Sequence, residues 1–140
     1  MSRVFWDTNL FIYLFEDYGE FSKDVSGLRQ RMISRGDQLF TSTLTLGEIL
    51  VKPTEKGDDE LRRSYLHALT VTAVMLPFDQ GTAEHYAMIR QDRSIKAPDA
   101  IQLACAAQAR IDLFITNDDH LKGKVISGIQ FIASLKGAYI

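Results

Sequence analysis

A chain of 140 residues, 46% hydrophobic and 24% charged, has the composition of one ordinary soluble domain with a single core. Sixteen Lys and Arg against eighteen Asp and Glu leave a net charge of -2, which excludes general electrostatic attraction to nucleic acid. Contact with a polyanion must run through a local basic patch or through bound metal ions.

The opening stretch Val4-Phe5-Trp6 reads as a short strand buried on both faces, because its β-formers lack polar alternation. Asp7, Thr8 and Asn9 end it, and Leu10 to Phe15 resume as an apolar helix. An acid at the carboxyl end of the first strand of an α/β sheet stands where such sheets bind ligands and metals. Asp7 alone would also serve as a helix N-cap. Phe21, Val25, Leu28, Met32 and Ile33 recur at helical spacing, and Gly36 follows as a C-terminal stop. Gln38 to Thr41 forms a second strand. Ser42 and Thr43 open a helix that runs through Val51 and ends before Pro53. After a loop at Lys56 to Asp59, Leu61, Tyr65, Ala68 and Leu69 mark one stripe of an amphipathic helix.

Val71 to Leu76 contains a third strand, stopped by Pro77. Thr82 to Arg90 is helical, with Ala83, Tyr86, Ala87 and Ile89 turned inward. An alanine-rich helix runs from Pro98 through Ala109 and carries the only cysteine, Cys105, as a buried, inert thiol. Leu113 to Ile115 forms the fourth strand and Ile129 to Ile132 the fifth. Strands separated by helices imply an α/β fold with a parallel sheet, in a single domain over residues 1–140. The order 3-2-1-4-5, with helices on both faces, puts the switch point between strands one and four. Asp7 and Asp118 then face each other across the crevice. Acids at Asp7, Glu16 and Asp17 break every apolar run near the N-terminus, and no stretch approaches the ~20 apolar residues of a membrane span. The expected setting is the cytoplasm, with no membrane attachment.

Two more acids can join that pair. Glu48 rides on the helix after strand two, where Thr45-x-x-Glu48 also matches a capping box and Glu48–Lys52 an i,i+4 ion pair. Asp99 follows Pro98 at the entry of a helix whose next turn is largely apolar, and a metal would account for an acid there. Asp118 follows strand four, with Asp119 as a spare and His120 nearby. Four clustered carboxylates should raise one another's pKa values or bind cations. Oxygen-only ligands favour Mg2+ or Mn2+, and two such ions about 3.5–4 Å apart can clamp a phosphodiester. Thr8, Asn9, Thr116 and Asn117 could orient waters or phosphate oxygens.

Phe5-Trp6-Asp7-Thr8-Asn9, Thr45-Leu46-Gly47-Glu48, Pro98-Asp99-Ala100 and Ile115-Thr116-Asn117-Asp118 together resemble the ordered motifs of PIN-domain nucleases. Their spacing and the chain length resemble the VapC-type toxins of VapBC toxin–antitoxin systems. The resemblance implies a three-layer PIN-like fold and a magnesium-dependent endoribonuclease acting on RNA. It further implies a homodimer and a cognate antitoxin partner. It assigns the acidic positions to Asp7, Glu48, Asp99 and Asp118, with Asn9 and Thr116 in support. Trp6 is bulkier than the aliphatic residue expected before the first acid.

Arg90, Arg93 and Lys96 precede Asp99, and Lys122 and Lys124 follow Asp118, so both groups could rim the crevice for RNA, without aromatic residues interleaved. Tyr13, Phe15, Tyr18 and Phe21 add aromatic surface suited to self-association. Two other functions fit parts of the sequence. A phosphatase-type domain would use Asp7 as nucleophile, but Asp7-Thr8-Asn9 lacks a closely following second acid. A non-catalytic PIN-like module binding RNA or protein would not need all four acids.

Overall fold

The computed structural model describes residues 1–138 and 140. Among them β1 (Arg3–Trp6), α1 (Thr8–Phe15), α2 (Glu20–Arg35), β2 (Gln38–Ser42), α3 (Thr43–Glu55) and α4 (Asp59–Thr72) follow in order. They are succeeded by β3 (Val74–Leu76), α5 (Gln80–Ile89), α6 (Ala97–Gln108), β4 (Leu113–Thr116) and β5 (Phe131–Ser134). The five strands form one parallel sheet in the order β3-β2-β1-β4-β5, the arrangement expected from the sequence among those that right-handed crossovers allow.

Strand periodicity divides the core into two layers. Val4, Trp6, Leu39 and Ile115 point to one face, where Leu10 and Phe11 of α1, Leu28 of α2, Ile49 of α3 and Leu69 of α4 cover them. Phe5, Phe40 and Phe114 point to the other, against Ile89 of α5 and the alanine-rich side of α6. Phe5 and Phe114 stack at 5.0 Å between ring centroids. The small side chains Ala100, Ala104 and Ala107 are fully buried or nearly so, which lets α6 lie close to the sheet. Trp6 is completely buried and packs on Phe11 at 5.2 Å, so the chain accommodates its large ring beside the first acid.

Several boundaries differ from the sequence expectation. The third helix passes through Pro53 to Glu55. Proline there removes only one donor near the end of the helix, its ring is buried, and its carbonyl still accepts from Asp58 N at 2.9 Å. Ala83 and Ala87 of α5 face solvent, while Thr82 and Ile89 are buried. Asp79 sets that register by accepting from Thr82 N and Thr82 Oγ1, both at 2.9 Å. The fifth strand begins at Phe131, because Ile129 is used in a turn whose N–H bonds the Ile126 carbonyl.

Among the described residues five glycines have positive φ, and two of them bear directly on the fold. Gly36 closes α2 in the left-handed region, at φ 75°. Gly128, at φ 98°, passes so close to α6 that an added Cβ would meet the Ala107 carbonyl oxygen at 2.8 Å. Gly128→Ala is expected to destabilise the fold by about 2 kcal/mol or more, through strain and a clash with backbone. Urea unfolding of the two proteins measures this, and equal midpoints would contradict the close approach.

Candidate active site

The acids are assembled by the sheet. β1 and β4 are neighbours in register, so their carboxyl ends leave Asp7 and Asp118 on the same edge. Asp7 is bound on both carboxylate oxygens: Oδ1 accepts from Thr8 N at 2.8 Å, and Oδ2 accepts from Thr116 Oγ1 at 2.9 Å. It therefore caps α1 while also facing the crevice. Thr116 Oγ1 in turn accepts from Asp118 N at 3.0 Å, tying the two acid-bearing loops together. Asp118 Oδ1 accepts from His120 N at 2.9 Å and so shapes its own turn.

Glu48 and Asp99 arrive on helices. The α3 N-cap is Ser42, so Thr45 and Glu48 form no capping box, and Lys52 pairs with Glu16 at 3.2 Å instead of with Glu48. Glu48 turns to the strand ends and accepts from Thr8 Oγ1 at 2.7 Å. Asp99 lies in the first turn of α6, behind Pro98. Asp7, Glu48, Asp99 and Asp118 line one cleft of about 490 Å3 together with Thr8, Asn9, Ile12, Pro98 and Gln102.

The electrostatics match that assembly. Burial pushes the Asp7 carboxyl above its ordinary value against the opposing pull of its two hydrogen bonds, and the Glu48 and Asp118 charges add to the rise. Asp99 is raised to about 7, first by burial, then by a side-chain hydrogen bond with Asp118, and by the charges of Asp7, Asp118 and Glu48. Among the described residues, no basic one lines the cleft. The protein supplies carboxylate oxygens and no counter-charge, a donor set suited to a hard divalent cation such as Mg2+ or Mn2+. Among the described residues, no three acids or histidines stand at the spacing of a preformed ligand set. The uncompensated charge, rather than ligand geometry, is what fits a cation.

The supporting residues separate. Thr8 and Thr116 each hold an acid, and Asn9 lines the cleft. Asn117 points away, donating to Tyr13 OH at 3.3 Å. Arg90 and Arg93 border a separate cleft of about 550 Å3 with Tyr86 and Gln91. Arg90 lies 6.0 Å over the Tyr86 ring, which meets Phe78 edge-on, so aromatic rings do flank this basic group. Lys96 is the N-cap of α6, three residues before Asp99, and Lys122 is exposed. Lys124 is engaged with Asp92 at 2.7 Å. Asp119 and His120 are exposed and do not line the acidic cleft.

Sequence reasoning missed Gln102. It is buried three residues after Asp99, on the same side of α6, and the signal was a lone amide in the apolar run Ile101 to Ala107.

A family model for the PIN domain matches residues 4–124. No curated protein sequence matches the chain. Among solved structures, it is similar to a DNA-bound VapBC from Salmonella typhimurium at TM-score 0.74 and 18% identity, over 96% of this chain and 99% of that one. It is likewise similar to VapBC2 from Rickettsia felis bound to a promoter DNA fragment, at TM-score 0.70 and 14% identity, covering 94% and 97%. A toxin–antitoxin complex from Klebsiella pneumoniae aligns at TM-score 0.62 and 26% identity, covering 91% and 95%.

Proposed function

The chain belongs to the PIN domain family, and from that premise we propose that it is a divalent-metal-dependent endoribonuclease, the toxin of a type II toxin–antitoxin pair. One observation carries the proposal: four carboxylates line a single cleft with no basic residue among the described residues that line it, and burial there, reinforced by the neighbouring acids, holds Asp99 near pKa 7.

Asp7, Glu48, Asp99 and Asp118 would hold Mg2+, with Mn2+ as a substitute. The bound cation would supply an activated water and charge neutralisation at the scissile phosphate. The chain's own groups do the positioning. Thr116 Oγ1 fixes Asp7 Oδ2 and Thr8 Oγ1 fixes Glu48 Oε1. Asn9, on the cleft wall, is free to meet a phosphate oxygen. Arg90, Arg93, Lys96 and Lys122 would attract the RNA backbone, and the effect of charge-removing variants should weaken as salt rises. Incubating total RNA with the purified protein tests this. Cleavage with Mg2+ or Mn2+ that EDTA abolishes is the expected result, whereas EDTA-resistant cleavage would exclude the metal, and none in any condition would leave a binding module.

The toxin–antitoxin complexes among the structural neighbours support a cognate antitoxin as partner. Among the described residues no helix is long and apolar enough to cross a membrane, and a cytoplasmic site of action is part of the proposal. We also propose a homodimer through the α1–α2 region. Tyr13 stacks on Phe21 at 4.9 Å and Phe15 on Tyr65 at 5.9 Å, so the chain absorbs part of this aromatic surface. Tyr18 and Phe21 nonetheless remain 47% and 40% exposed. Light scattering should give twice the chain mass, and Phe21→Glu should return it to that of one chain. A monomeric mass across a wide concentration range would contradict the dimer.

A further inference from the structure

We infer that Gln102 is a positioning residue that fixes Glu48 through the hydroxyl of Thr8. The inference rests on the metal-site function proposed above. Gln102 is 2% exposed, and its side-chain amide meets three hydroxyls that are themselves buried, on Thr8, Thr45 and Ser42. Its Nε2 donates to Thr8 Oγ1 at 3.1 Å and to Thr45 Oγ1 at 2.8 Å, while its Oε1 accepts from Ser42 Oγ. Thr41 Oγ1, 2.7 Å from Thr45 Oγ1 and 3.0 Å from the Trp6 carbonyl oxygen, anchors the far side of the network to β1.

The proton directions follow from the atoms. An ionised Glu48 can only accept, so the 2.7 Å contact with Thr8 requires the one Thr8 proton to point at Glu48 Oε1. Thr8 Oγ1 can then only accept from its other neighbours, and the Gln102 amide at 3.1 Å donates to it beside the Thr45 hydroxyl at 3.2 Å, which Gln102 also holds. The Ser42 hydroxyl on Oε1 holds the amide in the same sense. Glu48 itself is an exposed residue on the surface of α3, where a glutamate would otherwise sample several rotamers. Gln102 thus converts a mobile carboxylate into one held at the cleft it shares with Asp7 and Asp99, acting through Thr8, since its own hydrogen bonds go to Thr8, Thr45 and Ser42. Groups that orient metal-binding side chains in this way typically change metal affinity by about 10–100-fold when removed.

Mn2+ titration followed by electron paramagnetic resonance provides the test, because it reads the bound ion without turnover. Gln102→Met keeps the volume and removes the donors, and should weaken Mn2+ binding about tenfold. In a Glu48→Gln background the same substitution should change affinity by less than about twofold, since the group it positions is already altered. Thr8→Val should reproduce the loss if Gln102→Met does not fold, and Thr8→Ser, which keeps the hydroxyl, should restore it. Equal losses in both backgrounds, or no loss in either, would overturn the inference. Failure of the metal site itself is read separately. If the wild type binds no Mn2+, three-bond NMR couplings of Glu48 still decide. One side-chain rotamer in the wild type and averaged couplings in Gln102→Met support positioning by Gln102. Identical couplings overturn it.

Discussion

Asp99→Asn should abolish RNA cleavage while leaving the fold intact. The amide keeps the size and most of the hydrogen-bonding reach of the carboxyl but removes the charge that holds a cation. Asp99 is the acid on which the other three charges converge, since Asp7, Asp118 and Glu48 all act on it. Losing one charged ligand from a site that neutralises phosphate charge is expected to cost about 10³-fold in turnover, or about 4 kcal/mol of barrier. Asp7→Asn should do the same. Its amide can still accept from Thr8 N and sit beside Thr116 Oγ1, so the cap on α1 survives. Circular dichroism should match the wild type in both variants. Near-normal cleavage by either purified variant, with contaminating nuclease excluded, would contradict the assignment.

The second large effect is on stability without metal. In the unfolded chain Asp99 titrates near 3.8, and in the folded chain near 7. Between those values the folded state binds more protons than the unfolded state, so stability falls as pH rises through the window from about 4 to 7 and levels off above it. Asp7, also raised, acts in the same direction. Asp92 acts elsewhere: the Lys124 ammonium holds it near 2, so its contribution is lost only in strong acid. The full Asp99 displacement would correspond to about 4 kcal/mol, and solvent screening of a partly exposed carboxyl reduces the expected loss to about 2 kcal/mol. In EDTA the melting temperature should therefore drop by about 5 °C between pH 5 and pH 8. Asp99→Asn should flatten that slope. A flat wild-type profile, or an unchanged slope in Asp99→Asn, would contradict the titration.

The sheet was legible because its signals are local and strong. Val4-Phe5-Trp6 and Leu113-Phe114-Ile115 are short apolar runs that end on polar residues, and handedness limits how such strands can be ordered. The convergence of the four acids on one cleft was legible because Asp7 and Asp118 stand at or just past strand ends, Asp99 at a helix entry and Glu48 in the second turn of α3, positions that this topology brings together. Pro53 was misread as a stop because the rule concerns helix interiors, where the lost bond is costly, and Pro53 lies near an end. Ala83 and Ala87 were misread because alanine marks neither face of a helix, and the Asp79–Thr82 cap fixed the register.

Partner choice was the least legible feature. Glu48 and Lys52 have ideal helical spacing, yet Lys52 bonds Glu16 of α1 and Glu48 bonds Thr8. Long-range partners outcompeted the local pair because the cleft offers Glu48 a buried hydroxyl donor. Gln102 escaped notice for the same reason: its partners lie 94, 57 and 60 residues away in sequence. Only the packing of α6 over the ends of β1 and β2 brings them together.

The central claim is that Asp7, Glu48, Asp99 and Asp118 act as one cation site. Thermal melts at pH 8 of the wild type and of Asp7→Asn, Glu48→Gln, Asp99→Asn and Asp118→Asn, each in EDTA and in Mg2+, test it most directly. If the charges repel in a shared site, Asp99→Asn and Asp118→Asn should melt above the wild type in EDTA. Mg2+ should raise the wild-type melt by preferential binding to the folded state, and raise each variant less. If every variant melts below the wild type in EDTA, and Mg2+ moves none of the melts, the four acids do not share a cation.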